Sequence, residues 1–255
     1  MRRTTTVKAN ERKVFVPLEN NPEVMTSLAH TLGLSKDYAF HDIYTLDVAS
    51  LTTEMVRRPV LALLFIFPLT AVNETFYLEE ESKLPKYERS GPSEPVLWFH
   101  QTIGNACGLI GLLHCLTNGP VTSKINPDSA VDRIIKDATP LDPENRSKLL
   151  EDSTILEVAH AQHAARGDTA PPPDPRTWHD DQGFIAFVKG NDGHLWELEG
   201  RRKGPVDRGP IEVDDMFSET VLEKSVRPFI ERETKEGAGP KSVMFSLLGL
   251  STAAR

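Results

Sequence analysis

The sequence predicts a mixed α/β (α+β) fold in a single domain, and three stretches carry that prediction. Residues 60–67 are apolar without alternation and are stopped by Pro68, the pattern of a strand buried on both faces. Residues 106–116 are apolar on nearly every side, which reads as a buried helix. Residues 184–189 and 194–199 flank Gly190-Asn191-Asp192-Gly193, a strong signal for a β-hairpin.

The remaining elements follow in chain order. Glu19-Asn20-Asn21-Pro22 forms a helix entrance. Val24, Met25, Leu28, Ala29 and Leu32 then recur at helical spacing, and Gly33 closes the helix. Residues 40–44 read as a short strand. Residues 79–95 are polar and charged, with Gly91-Pro92 marking a loop. Residues 96–100 form an extended approach to the buried helix. Three further helices are expected near 129–138, 143–151 and 155–165. Residues 167–175 hold four prolines in nine positions and predict an exposed loop of unusual length. A helix over 221–232, a Gly/Pro loop at 237–240 and an apolar end over 243–250 complete the chain.

Composition excludes several classes of function. A length of 255 residues suits one large domain or two small ones, and no repeat or domain-sized linker divides it. The 37 acidic residues exceed the 29 Lys and Arg, giving a net charge of −8. That balance argues against coating nucleic acid and allows a basic partner. Two cysteines, Cys107 and Cys115, with no paired histidines at ligand spacing, exclude a structural zinc site and a disulfide-stapled secreted fold. They point to a reducing compartment, cytoplasm or nucleus. Residues 1–13 are basic but carry no apolar run, so they read as a polar tail rather than a secretory signal, leaving 14–255 as the domain. The longest apolar run falls far short of the ~20 residues that span a bilayer, so a soluble protein with no membrane role is expected.

Chemistry concentrates in Gln101-Thr102-Ile103-Gly104-Asn105-Ala106-Cys107-Gly108-Leu109-Ile110-Gly111. Cys107 falls in the first turn of the buried helix, where unpaired N–H groups and the helix dipole stabilise a thiolate. The same N–H groups can hold an oxyanion, and Gln101 can add a side-chain amide. Gly104, Gly108 and Gly111 allow close approach of other backbone or of substrate. The glycine spacing is neither a dinucleotide fingerprint nor a P-loop. The competing reading is that Cys107 is a small buried hydrophobe, the commonest fate of an intracellular cysteine. Cys115, deeper in the helix, reads as core.

This segment resembles the active-site signature of the ubiquitin C-terminal hydrolases, papain-like cysteine deubiquitinases. The similarity continues, in the same order, through residues 18–24, 40–44, 57–70 and 194–201, spanning roughly residues 14 to 235. The resemblance implies a central, mainly antiparallel sheet flanked by helices, with a knotted chain path. It implies Cys107 as nucleophile, Gln101 as an oxyanion donor, no metal or other cofactor, and ubiquitin or a ubiquitin-like protein as partner of a monomer. It also implies a crossover loop between Leu150 and the Pro-rich 167–175, which restricts the leaving group to small adducts or short extensions. The end of the chain soon after this region resembles the short members of the family. Glu19 and Glu23 are candidates for contact with ubiquitin's basic tail, and read equally well as helix-start charges.

Two positions depart from the family pattern. Where the family's general-base His opens one hairpin strand, this chain has Gly183, and where the family's Asp ends the other, it has Glu199. A turn centred on 190–193 sets residue 183 opposite 199 or 200, within the about 4.5–5.5 Å Cα spacing of a ladder pair. Glu keeps the carboxylate with one more methylene; Gly keeps nothing and leaves room for added imidazole. His179 lies ~13 Å upstream of 183 in an extended chain. His160, His163 and His194 read as solvated surface residues, and His114 as a satisfied core residue. Two functions follow: a ubiquitinyl hydrolase impaired by the missing base, or a ubiquitin-binding protein with little or no catalysis.

Overall fold

Asn21 accepts the backbone amides of Glu23 and Val24 on its side chain and so starts α1 (Pro22–Leu32). Pro22 costs nothing at a helix start, where its missing N–H would have had no partner. Val24, Met25, Leu28, Ala29 and Leu32 are buried, as their spacing predicts, and Gly33, at φ 127°, ends the helix. The computed structural model describes residues 12–51, 55–167, 174–177, 182–235 and 244–253.

Six strands form one antiparallel sheet in the order β1 (Tyr38–Asp42), β6 (Ser246–Thr252), β2 (Ala62–Pro68), β3 (Gln182–Lys189), β4 (His194–Leu198) and β5 (Val206–Pro210). Every residue of β2 is buried, because both faces of the sheet are covered by helices. Ala62, Leu64 and Ile66 of β2 and Phe184, Ala186 and Val188 of β3 face a core shared with α1, α3 (Cys107–Leu116), α4 (Ala130–Ala138) and α6 (Thr154–Ala164). The alternate residues Leu63, Phe65, Phe67, Ile185 and Phe187 face a second core. There they meet Tyr77 of α2 (Ala71–Ser82), Val221 and Leu222 of α7 (Glu219–Lys224) and Phe229 of α8 (Val226–Lys235). The period-2 alternation of side chains thus divides the apolar residues between two helical layers. The helix α5 (Pro143–Glu151) also matches its predicted bounds.

Three elements differ from the sequence reading. The helix α2 occupies part of what reads as a polar loop; only Asn73 and Tyr77 on it are buried, so almost no apolar periodicity marks it. The single helix expected over 221–232 is two, broken at Ser225. The ring of Pro228 conflicts with a continuous helix at the carbonyl of Lys224, four residues back. The helix α6 turns inward the side expected to face solvent: His160 and His163 are 1% and 2% exposed, while Ile155 and Val158 are 55% and 49% exposed. Burial of these histidines is made tolerable by partners, since His160 Nε2 lies 2.6 Å from the carbonyl of Val16 and His163 Nε2 lies 3.1 Å from Ser27 Oγ.

Candidate active site

The nucleophile candidate is the first residue of α3. Its N-cap, Ala106, offers no capping side chain, so the first-turn amides around Cys107 are not consumed by one. Gly108 lets α3 lie close to the segment before α1, and Gly111 lets it lie close to the sheet, because neither presents a side chain. A Cβ on Gly108 would come 3.1 Å from Cβ of Leu18, and one on Gly111 would come 2.8 Å from Cδ1 of Leu64. Cys107 is partly buried, whereas Cys115 is fully buried against the carbonyl of Leu63, and burial pushes its thiol pKa up, away from the reactive form. Neither cysteine is in a disulfide.

Gln101 is held beside α3 by its own backbone. Its N–H donates to the carbonyl of Gly200 at 2.7 Å, and its Nε2 donates to the carbonyl of Ile103 at 3.3 Å. Trp98 Nε1 adds a bond to the carbonyl of Glu199 at 3.1 Å. Gly200 sits where any side chain would collide: a Cβ there would come 2.8 Å from Cγ2 of Ile110 and 2.9 Å from Cβ of Gln101. The end of β4, the approach segment and α3 therefore meet at Gln101.

Glu199 is buried and bound to its neighbour but one: its Oε1 accepts from Arg201 Nε at 2.6 Å. Burial raises its carboxyl pKa above the ordinary value, opposed chiefly by the charge of Arg201. Gly183 pairs with Phe67 of β2, and a Cβ on it would fall against that ring, 2.6 Å from Cζ, with Cδ2 of Leu69 at 3.1 Å. The expected room for an added imidazole is filled.

The hairpin register also differs from the one drawn from its turn. Lys189 pairs with Leu195 and Ala186 with Leu198, where the β3–β4 ladder stops. Continued, that register sets 183 beyond Glu199 and Gly200, opposite 201. The reason is a three-residue loop, 191–193. The N–H of Gly193, at φ 79°, bonds the carbonyl of Gly190, and the N–H of Gly190 bonds the carbonyl of His194.

The other candidates separate by position. His194 lies at the hairpin end, its Nδ1 2.9 Å from Asp207. His114 accepts the N–H of Phe99 at 3.0 Å, and burial lowers its pKa to about 3. His179 and residues 168–173 lie outside the described residues. Glu19 packs beside Gly167, whose Cβ would come 3.2 Å from its own, and Glu23 is exposed in the first turn of α1. Among the described residues no group of three or more His, Cys, Asp or Glu side chains is placed to hold a metal, and no helix is long and apolar enough to cross a membrane.

Sequence reasoning missed three residues that shape this site. Asn105, two before Cys107, has φ 56° and donates from Nδ2 to the carbonyls of Phe15 and Pro175. Arg201 holds Glu199. Lys13, assigned to the polar tail, is anchored on α6 through Glu157 at 2.7 Å. Of these, only an Asn just before a helix start, a residue tolerant of positive φ, carries a local signal.

A family model described as ubiquitin carboxyl-terminal hydrolase, family 1, matches residues 15–233. Ubiquitin carboxyl-terminal hydrolase 3 of Arabidopsis thaliana is 34% identical over 248 residues, covering 97% of this chain and 98% of the relative. The human ubiquitin carboxyl-terminal hydrolase isozyme L1 is 33% identical over 240 residues, covering 93% and 98%. The fold is similar to that of the Trichinella spiralis UCH37 catalytic domain, solved bound to ubiquitin vinyl methyl ester, with TM-score 0.66, 18% identity and coverage of 94% and 96%. The chain belongs to the ubiquitin carboxyl-terminal hydrolases of family 1, a family of cysteine-type hydrolases.

Proposed function

We propose that this chain is a slow thiol-dependent ubiquitinyl hydrolase that frees the C-terminal glycine of ubiquitin, or of a ubiquitin-like protein, from small adducts or short extensions. The observation that carries the reading is Cys107 at the first position of α3, with Gln101, six residues before it, fixed by its backbone bond to Gly200. In this reading the thiolate attacks the glycine carbonyl. The first-turn amides of α3 and Gln101 receive the oxyanion. Its collapse breaks the bond from the glycine carbonyl to the adduct, which departs with a proton taken from water. A second water hydrolyses the thioester to release ubiquitin and restore the thiol. Gly183 supplies no general base, which typically costs about 10²–10⁴ in rate. Glu19 and Glu23 receive the basic tail of ubiquitin. Beside Glu23 an open groove lined by Pro22, Thr26, Asp42 and Tyr44, with exposed Met55, offers acidic and apolar surface to the same partner. The protein works as a monomer, without cofactor, in a reducing compartment that keeps both cysteines as thiols.

A second reading, a ubiquitin-binding protein with little or no catalysis, is favoured by the Phe67 ring against Gly183 and by the engagement of Glu199 with Arg201. One experiment separates them. A ubiquitin probe with a C-terminal electrophile should label Cys107 slowly, Cys107→Ala should abolish labelling while keeping ubiquitin affinity, and a ubiquitin–fluorophore amide should turn over weakly. Binding without turnover selects the second reading; absence of ubiquitin binding overturns both.

A further inference from the structure

Besides the bond from Ile110 N–H of α3 to the carbonyl of Ala106 at 2.9 Å, the loop that delivers Cys107 to the head of α3 is held from outside the helix. Asn105 sits in the left-handed region, φ 56°, the one positive-φ residue between the approach segment and the helix. Its Nδ2 donates to Pro175 O at 2.8 Å and to Phe15 O at 3.3 Å, joining two segments distant in sequence to the residue two positions before the thiol. Gly104, next to it, is bound on both sides by the N-terminal segment: its N–H donates to Lys13 O at 2.8 Å, and its carbonyl accepts from Phe15 N at 2.9 Å. Val14 closes the approach, since a Cβ on Gly104 would come 3.0 Å from its Cγ2.

The N-terminal segment is in turn fastened to α5 and α6. Lys13 Nζ donates to the carbonyl of Glu151 at 2.7 Å and pairs with Glu157 Oε2 at 2.7 Å. The Phe15 ring lies 4.5 Å from the ring of buried His160, whose Nε2 meets the Val16 carbonyl at 2.6 Å. Residues 12–16 therefore act as a strap between the nucleophile loop and the α5–α6 layer, with Asn105 as its buckle. Such fastening matters for a helix-terminal nucleophile. The amides and dipole that favour the thiolate act within the first turn, and a displacement of about 1 Å can cost ~10² in rate.

We propose that Asn105 and Lys13 are positioning residues for Cys107, holding its thiol at the head of α3 through the strap. The proposal rests on Cys107 as the reactive group in the reading above, and its test does not require ubiquitin. The rate of iodoacetamide alkylation of Cys107, followed by peptide mass spectrometry against pH, gives the apparent pKa of the thiol. Asn105→Gly keeps the positive φ and removes both donated bonds, whereas Asn105→Ala adds backbone strain, so the Gly variant isolates the amide. Asn105→Gly is expected to raise the apparent pKa of Cys107 by about one unit, because the thiolate leaves its first-turn partners. Lys13→Ala should move it the same way, and Lys13→Arg should restore it.

A second measurement reads the consequence for the proposed reaction. With a ubiquitin electrophile, Asn105→Gly should lower the maximal labelling rate about 10- to 100-fold at nearly unchanged half-saturation. An unchanged alkylation profile in both Asn105→Gly and Lys13→Ala would overturn the proposal, as would equal effects of Lys13→Ala and Lys13→Arg. If the wild type alkylates with a shifted profile yet ignores the ubiquitin electrophile, the functional reading fails while the positioning role stands.

Discussion

The ring of Phe67 fills the space that a side chain at Gly183 would need. The two residues are cross-strand partners in the β2–β3 ladder, and Phe67 is packed among Tyr77, Phe65 and Phe229. Position 183 is therefore not a vacant histidine socket but a finished piece of core, with the aromatic ring resting over the glycine.

Gly183→His alone should consequently lower stability by about 1–3 kcal/mol, the usual cost of overpacking, and give little gain in turnover. Pairing it with Phe67→Leu should relieve the collision and raise turnover of a ubiquitin–fluorophore amide at least tenfold above either single variant. Imidazole added to the wild type should leave the rate within about twofold. Turnover that climbs by orders of magnitude in the single variant, with an unchanged urea midpoint, would show that Phe67 yields freely.

The pair Glu199–Arg201 supports a second prediction. Arg201→Ala leaves a buried carboxyl without its charged donor, which costs about 1–3 kcal/mol. The carboxyl pKa of Glu199 is already raised by burial, and loss of Arg201 raises it further. Above the ordinary carboxyl value of 4.5 the folded variant holds a proton that the unfolded chain releases, so its stability falls as pH rises. The deficit relative to wild type should be larger at pH 7 than at pH 4.5 in urea unfolding. An equal deficit at both pH values would mean that the carboxyl is not the cause.

Gly200 offers a test of Gln101 that leaves Gln101 itself in place. A Cβ at 200 would press on both Gln101 and Ile110, and its backbone is not in the positive-φ region, so Gly200→Ala acts by contact alone. It should slow labelling of Cys107 by a ubiquitin electrophile about tenfold or more while alkylation by iodoacetamide stays within about twofold. If both rates fall together, the displacement reaches Cys107 and is not confined to the proposed oxyanion donors.

Much of this was legible because the strongest signals are local. The uninterrupted run ending at Pro68, the Asn21-Pro22 helix start and the glycines of the hairpin each specify their element with little help from elsewhere. Of the candidate site, the sequence made legible the place of Cys107 at the start of its helix. What escaped depends on distant partners. Whether position 183 faces space or a ring depends on Phe67, more than a hundred residues away. The inward turn of His160 and His163 depends on a carbonyl at Val16 and a hydroxyl at Ser27. The hairpin register changed by a single loop residue, a distinction that Gly190-Asn191-Asp192-Gly193 leaves open until the carbonyl of Gly190 finds Gly193.

The buried histidines give the last prediction. Burial lowers the pKa of His160 to about 4 from an ordinary 6.5, with the Val16 carbonyl and the neighbouring His163 as smaller influences, and lowers His114 to about 3. Both stay neutral in the folded protein as pH falls below 6.5, while their unfolded counterparts take up protons. The unfolded state then binds more protons, so stability decreases on acidification, by up to about 1.4 kcal/mol per pH unit for each group. Glu199, with its raised pKa, works in the opposite sense, so the comparison must isolate one histidine. His160→Gln retains a donor for the Val16 carbonyl and removes the titration. Its urea midpoint should depend less steeply on pH between about 6.5 and 4 than that of the wild type, amounting to about 3 kcal/mol across the window. Parallel wild-type and variant profiles would mean that His160 does not remain neutral in the fold, and that its contact with Val16 is made by an imidazolium.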